Sequence, residues 1–107
     1  MVNNILAKAL KFNQLIDYQD NSIVSKMIIK KETGNVTLFA FDKGQGLSEH
    51  TVPYEALVYI FDGSAKVIIS GKANIVKKGE FIIMPGNKPH SLKASNKFKM
   101  LLVMVKR

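Results

Sequence analysis

Apolar and polar positions alternate in short bursts along most of this 107-residue chain, and turn-forming residues separate the bursts. "SIVSKMIIKK" (22–31) and "VTLFAFD" (36–42) flank "ETGN", the pattern of two half-buried strands joined by a tight turn. "KGQG" (43–46) breaks the chain, and two strands on either side of Pro53 occupy 48–62. "DGS" predicts a hairpin turn, followed by the strand "AKVIIS", the turn "GK" and the strand "ANIVKK". "FIIM" follows Gly79 and stops at Pro85, and "HSLKA" and "FKMLLVMVK" complete the series. Some nine or ten short strands at regular spacing predict an antiparallel sandwich or closed barrel. Only the N-terminus has another rhythm. Ile5, Leu6, Ala9 and Leu10 stand at helical spacing behind Asn4, a candidate cap, and "NQLIDYQD" suits a second short turn. The expectation is one domain over 1–107, with a helical or irregular segment at 1–20 and a barrel at 22–106.

Several strands are apolar on both faces: "VTLFAF", "ALVYIF" and above all "MLLVMV". A barrel strand needs only its inner face apolar, so the other must be covered by the N-terminal segment, a second sheet or another subunit. A homodimer is the simplest cover. At 47% hydrophobic and 22% charged residues the composition is that of a globular domain. No apolar run is long enough for a membrane span, no signal peptide is read in "MVNNILAKALKF", and a cytoplasmic location is the default. The absence of cysteine excludes disulfides, thiolate metal sites and thiol nucleophiles. The formal charge of +8 raises nucleic-acid binding, but fifteen of the sixteen basic residues are lysines spread from Lys8 to Lys106, and Arg107 is the sole arginine. The nearest to a cluster is Lys93, Lys97, Lys99 and Lys106. Recognition of phosphates and bases favours clustered arginine, so dispersed lysine reads as a solubilising surface.

Two punctuated blocks carry the chemistry. The first holds Gly44-Gln45-Gly46, His50, Pro53, Glu55 and Gly63; the second holds Gly79-Glu80, Pro85-Gly86-Asn87, Pro89 and His90. The glycines and Asn87 suit turns of positive φ, and Pro85 and Pro89 stiffen the approach to His90. Two histidines thus follow rigid bends on strands that a barrel can place face to face. "HTVPYEALVYIFDG" and "GEFIIMPGNKPH" resemble the two motifs of the cupin superfamily. His50 and Gly63 match the first; Gly79, Pro85 and His90 match the second, with Asn87 where the family has glycine. The likeness spans 44–94, and "GQGLSEHT", "ALVY" and "FKMLL" are similar to stretches of small single-domain conserved-barrel cupins. It implies an all-β, double-stranded β-helix or jelly-roll barrel with a short N-terminal helical segment.

The departures bear on function. The resemblance implies a metal held by two histidines and an acid of the first motif and a histidine of the second. Val52 stands at the second histidine's position, Ala56 at the acid's and Ala94 at the terminal asparagine's. His50 and His90 alone carry over, and Glu55 lies one residue early, on the opposite face of a regular strand. One reading is a divalent-metal-dependent enzyme of dioxygenase or isomerase type, as the resemblance implies, with zinc, iron, manganese or nickel on His50, His90 and Glu55. A second keeps the pocket without the ion: by parity His50, Val52, Ala56, Val58 and Ile60 face inward, with Met84, His90 and Leu92 opposite. Two neutral imidazoles in an apolar cup suit a small molecule that bears a carbonyl, phenol or carboxylate. A third reading is a structural or regulatory homodimer with no lumenal ligand. Tyr54 and Tyr59 read as packing or subunit-contact residues, and Met84, Met100 and Met104 as core filler.

Overall fold

A computed structural model describes residues 5–106 of the chain. Eight antiparallel strands follow a 3-10 turn at Phe12–Gln14: β1 (Ile23–Lys31), β2 (Gly34–Phe41), β3 (Gly46–His50), β4 (Glu55–Ile69), β5 (Lys72–Lys77), β6 (Phe81–Met84), β7 (His90–Lys93) and β8 (Phe98–Val105). One sheet has the order β1-β2-β8-β4-β6, and the other runs β5-β4-β7-β3. β4 belongs to both. Its first half pairs with β8 and β6, and its second with β5 and β7.

This shared strand corrects the sequence-based expectation of a hairpin at "DGS". Residues 62–64 lie inside a fifteen-residue strand that bulges between Ile60 and Asp62 and then changes sheets. Gly63 makes the corner with φ +70°, and a Cβ there would collide with the Lys97 carbonyl oxygen. Asp-Gly marks backbone at positive φ, which a barrel corner needs as much as a turn does. Reading two strands where one bends also accounts for the overcount.

The N-terminal helix expected from Ile5, Leu6, Ala9 and Leu10 is not formed among the described residues; Asn4 lies outside them. Ala7 adopts φ +58°, and Leu6 and Leu10 remain 65% and 44% exposed. So short a segment gains too little from helical hydrogen bonds to offset nucleation. Instead Phe12, Leu15, Ile16 and Tyr18 form a strap over the outer face of the first sheet, against Leu38, Ala40 and Phe61. The main core lies between the sheets, where Phe41 and Phe98 stack at 4.5 Å and fill one part of the lumen beside Val58, Ile60 and Val67. No helix among the described residues is long and apolar enough to cross a membrane.

Candidate functional site

The strand register itself brings the two histidines together. His50 ends β3 and His90 opens β7, and the two are paired residues of one antiparallel ladder. Their rings meet edge to face with centroids 4.4 Å apart. The approaches are fixed by backbone hydrogen bonds. The Asn87 amide donates to the Val52 carbonyl at 2.8 Å, tying the loop after His50 to the loop before His90. The Ser70 amide donates to the Pro89 carbonyl at 2.8 Å and anchors the residue next to His90. Asn87 supplies the left-handed conformation (φ +62°) that the family glycine would otherwise supply. At Gly86 a Cβ would stand 3.3 Å from the backbone of Tyr54, so the absence of a side chain lets the two loops close.

Both imidazoles have a defined tautomer when neutral. Nδ1 of His50 lies 2.8 Å from the Ser48 carbonyl oxygen, and Nδ1 of His90 lies 3.3 Å from that of Lys88. A carbonyl can only accept, so each Nδ1 carries the proton and donates, and each neutral ring keeps Nε2 as a bare acceptor. His90 is 5% exposed, whereas His50 is open to solvent. Burial pushes the His90 ring below the usual imidazole value; the bond to Lys88 opposes that shift, and the charge of His50 adds to it. His90 is therefore neutral at pH 7. Among the described residues no fully buried side-chain nitrogen or oxygen lacks a partner, so Nε2 of His90, which has none in the protein, opens onto accessible space.

Both histidines line a cavity of about 170 Å³, together with Leu47, Val52, Tyr54, Ala56, Met84, Leu92, Met100, Leu102 and Met104. Apart from the two histidines and Tyr54, the lining side chains are all hydrocarbon or thioether. Lys106 holds its ammonium 5.6 Å from the centre of the Tyr54 ring. The family model for the cupin domain matches residues 37–106. This chain belongs to the cupin family. A conserved protein of unknown function from Streptococcus pyogenes is similar in structure (TM-score 0.90) and 35% identical, over 94% of this chain and 89% of that one. A cupin 2 conserved barrel domain protein from Leptotrichia buccalis is 42% identical (TM-score 0.84), over 87% of this chain but only 45% of the other. Salicylate 1,2-dioxygenase from Pseudoaminobacter salicylatoxidans, in adducts with gentisate, shares the fold at 15% identity and TM-score 0.73, over 79% of this chain and 25% of its own. A search of curated proteins finds no match.

The cupin barrel places the residues singled out from sequence in three groups. His50, Val52, Ala56, Met84, His90 and Leu92 border the one cavity. Val58 and Ile60 do not: they face inward as parity requires, but neighbouring side chains cover them completely. Glu55 is not brought to the histidines. It is exposed and points to the outer face, where it borders a separate depression with Val105 and Lys106, while Ala56 takes the inward position. Pro53 lies in the loop before β4, and β4 alternates regularly from Glu55 to Ile60, ahead of its bulge.

Cupins commonly bind a divalent metal, and the donor set here does not fit one. No group of three or more histidine, cysteine, aspartate or glutamate side chains converges among the described residues. Two imidazoles without a carboxylate fall short of the three protein ligands that catalytic zinc or iron uses. Sequence reasoning missed Leu47, Tyr54 and Leu102 as cavity residues, and it assigned Met100 and Met104 to packing alone. Alternation along β8 contains the signal for three of them, since Met100, Leu102 and Met104 share the parity of buried Phe98.

Proposed function

We propose that this cupin binds a compact, largely apolar small molecule of single-ring size that carries a hydroxyl, with the hydroxyl donating to Nε2 of His90 or His50. The observation that carries this reading is an apolar cavity of about 170 Å³ whose principal polar groups are two adjacent imidazoles. An apolar protein cavity of about 150 Å³ admits benzene, so the volume suits one ring with a substituent. Hydrocarbon walls supply the affinity, and thioethers of Met84, Met100 and Met104 favour an aromatic face. The polar end sets orientation. A neutral imidazole that already donates from Nδ1 can only accept at Nε2, which favours a phenol or alcohol over a carbonyl.

Calorimetric titration with phenol, toluene and benzoate tests the reading. Phenol is expected to bind in the range of about 10 μM to 1 mM, which needs roughly 4–7 kcal/mol from seven heavy atoms and lies within the ceiling for small ligands. It should exceed toluene by about fivefold or more, the worth of one hydrogen bond. His50→Ala/His90→Ala should remove that preference. Equal binding of phenol and toluene to the native protein, or binding of neither, would refute the proposal.

A further inference from the structure

Ala56 stands where the cupin motif has its acidic metal ligand, and the ladder gives it two sulfur-bearing neighbours. Met84 on β6 is paired with it on one side and Met104 on β8 on the other. Directly paired residues hold their Cβ atoms about 5 Å apart, so a methyl group leaves room for two long, flexible thioethers to lean over it. Met84 and Met104 line the same cavity as His50 and His90. The two imidazoles are prepared as ligands. Each commits Nδ1 to a main-chain carbonyl, that of Ser48 for His50 and that of Lys88 for His90, which holds the ring and leaves the Nε2 lone pair free. Metal-bound histidines ordinarily have this outer support. The two residues are paired in one ladder with ring centroids 4.4 Å apart, a separation that one ion can bridge.

Donor softness selects the ion. Neutral imidazole nitrogens and thioethers, with no carboxylate among them, favour Cu(I) over zinc, iron or manganese. Charge selects in the same direction. The cost of taking an ion out of water grows with the square of its charge, so an apolar cup without a counter-charge penalises a divalent ion about four times as heavily as a monovalent one. The chain has no cysteine to compete for the metal. We propose that the cavity holds a single Cu(I) ion, ligated by Nε2 of His50 and His90 and by the thioethers of Met84 and Met104. The misfit to a divalent ion is then an exchange of donors. The acid at position 56 is gone, and sulfur from the two flanking strands takes its place. This inference does not rest on the ligand reading: ion and phenol require the same Nε2 lone pairs, and each excludes the other.

Equilibrium dialysis of the full chain under argon, against Cu(I) kept in solution by acetonitrile at about 10 μM, tests it. The native protein should retain one equivalent and should prefer Cu(I) to Zn(II) by about a hundredfold or more. His50→Ala/His90→Ala should retain none. Met84→Leu/Met104→Leu, which keeps the wall apolar and nearly the same in volume, should weaken retention about tenfold or more, with thermal unfolding to confirm that the variant folds. If it does not fold, copper K-edge absorption of the loaded native protein answers the same question, with sulfur and imidazole scatterers expected together. No retention by the native protein, zinc held as tightly as copper, or copper held equally well without the two sulfurs or through nitrogen alone would overturn the proposal.

Discussion

Adding volume to the cavity wall should stabilise this protein and impair its binding at once. Ala56 is 2% exposed and lines the cavity, and the ladder sets it between Met84 on β6 and Met104 on β8. Ala56→Val adds two carbons to space that is empty of protein. At about 0.8 kcal/mol for each buried carbon the gain is about 1.6 kcal/mol, and valine also suits a strand better than alanine. For a domain of this length that corresponds to a rise in Tm of about 6–13 °C. The comparison is Val58→Ile, two residues further along the same face. Val58 is wholly buried and does not line this cavity, so one extra carbon there must displace neighbours and should cost about 1–3 kcal/mol. Thermal and urea unfolding measure both, and calorimetry follows phenol binding, which Ala56→Val should weaken at least tenfold. Stabilisation with loss of binding is the signature of a cavity kept open for a ligand. If Ala56→Val instead destabilises as Val58→Ile does, the space is not there and the site reasoning fails.

Three further outcomes follow from other parts of the molecule. Gly63→Ala, forced into positive φ against the Lys97 carbonyl, should cost about 2–5 kcal/mol in urea unfolding, and a tolerated alanine would contradict the strand corner. The Tyr18 hydroxyl donates to Asp62 Oδ2 at 2.5 Å and pins the strap to β4, so Tyr18→Phe should cost about 1–2 kcal/mol and speed hydrogen exchange in residues 12–18; unchanged exchange would dismiss the pin. His90 holds its proton less readily folded than unfolded, because burial disfavours the charged ring. Its contribution is therefore intact above the unfolded value of about 6.5 and is lost as pH falls from there toward the lower folded value. Urea midpoints between pH 8 and pH 5 should drop more steeply for the native protein than for His90→Gln, and equal slopes would contradict the shift.

The strands were legible because a half-buried strand must alternate, and both histidines were legible because glycine, asparagine and proline mark the bends that aim them. The corner at Gly63 was not, since a strand that changes sheets and a hairpin both require Asp-Gly, and only long-range pairing separates them. The N-terminus misled for a related reason. Ile5, Leu6, Ala9 and Leu10 fit a helical stripe, but local spacing says nothing of what they would pack against, and the strap packs through Phe12, Leu15, Ile16 and Tyr18 instead. Parity told that Val58 and Ile60 face inward but not how far the lumen is filled, which Phe41 and Phe98 decide from distant strands. Glu55 follows parity simply. The strand that turns Ala56 inward turns its neighbour out.

The most direct measurement is long-range proton–nitrogen NMR of the two histidine side chains, recorded at pH 7.5 with and without phenol. The account predicts Nδ1 of His90 protonated and Nε2 bare, with Nε2 of at least one ring shifting as phenol saturates the site. A proton on Nε2 of His90 in the free protein, or imidazole signals that ignore a bound phenol, would contradict it.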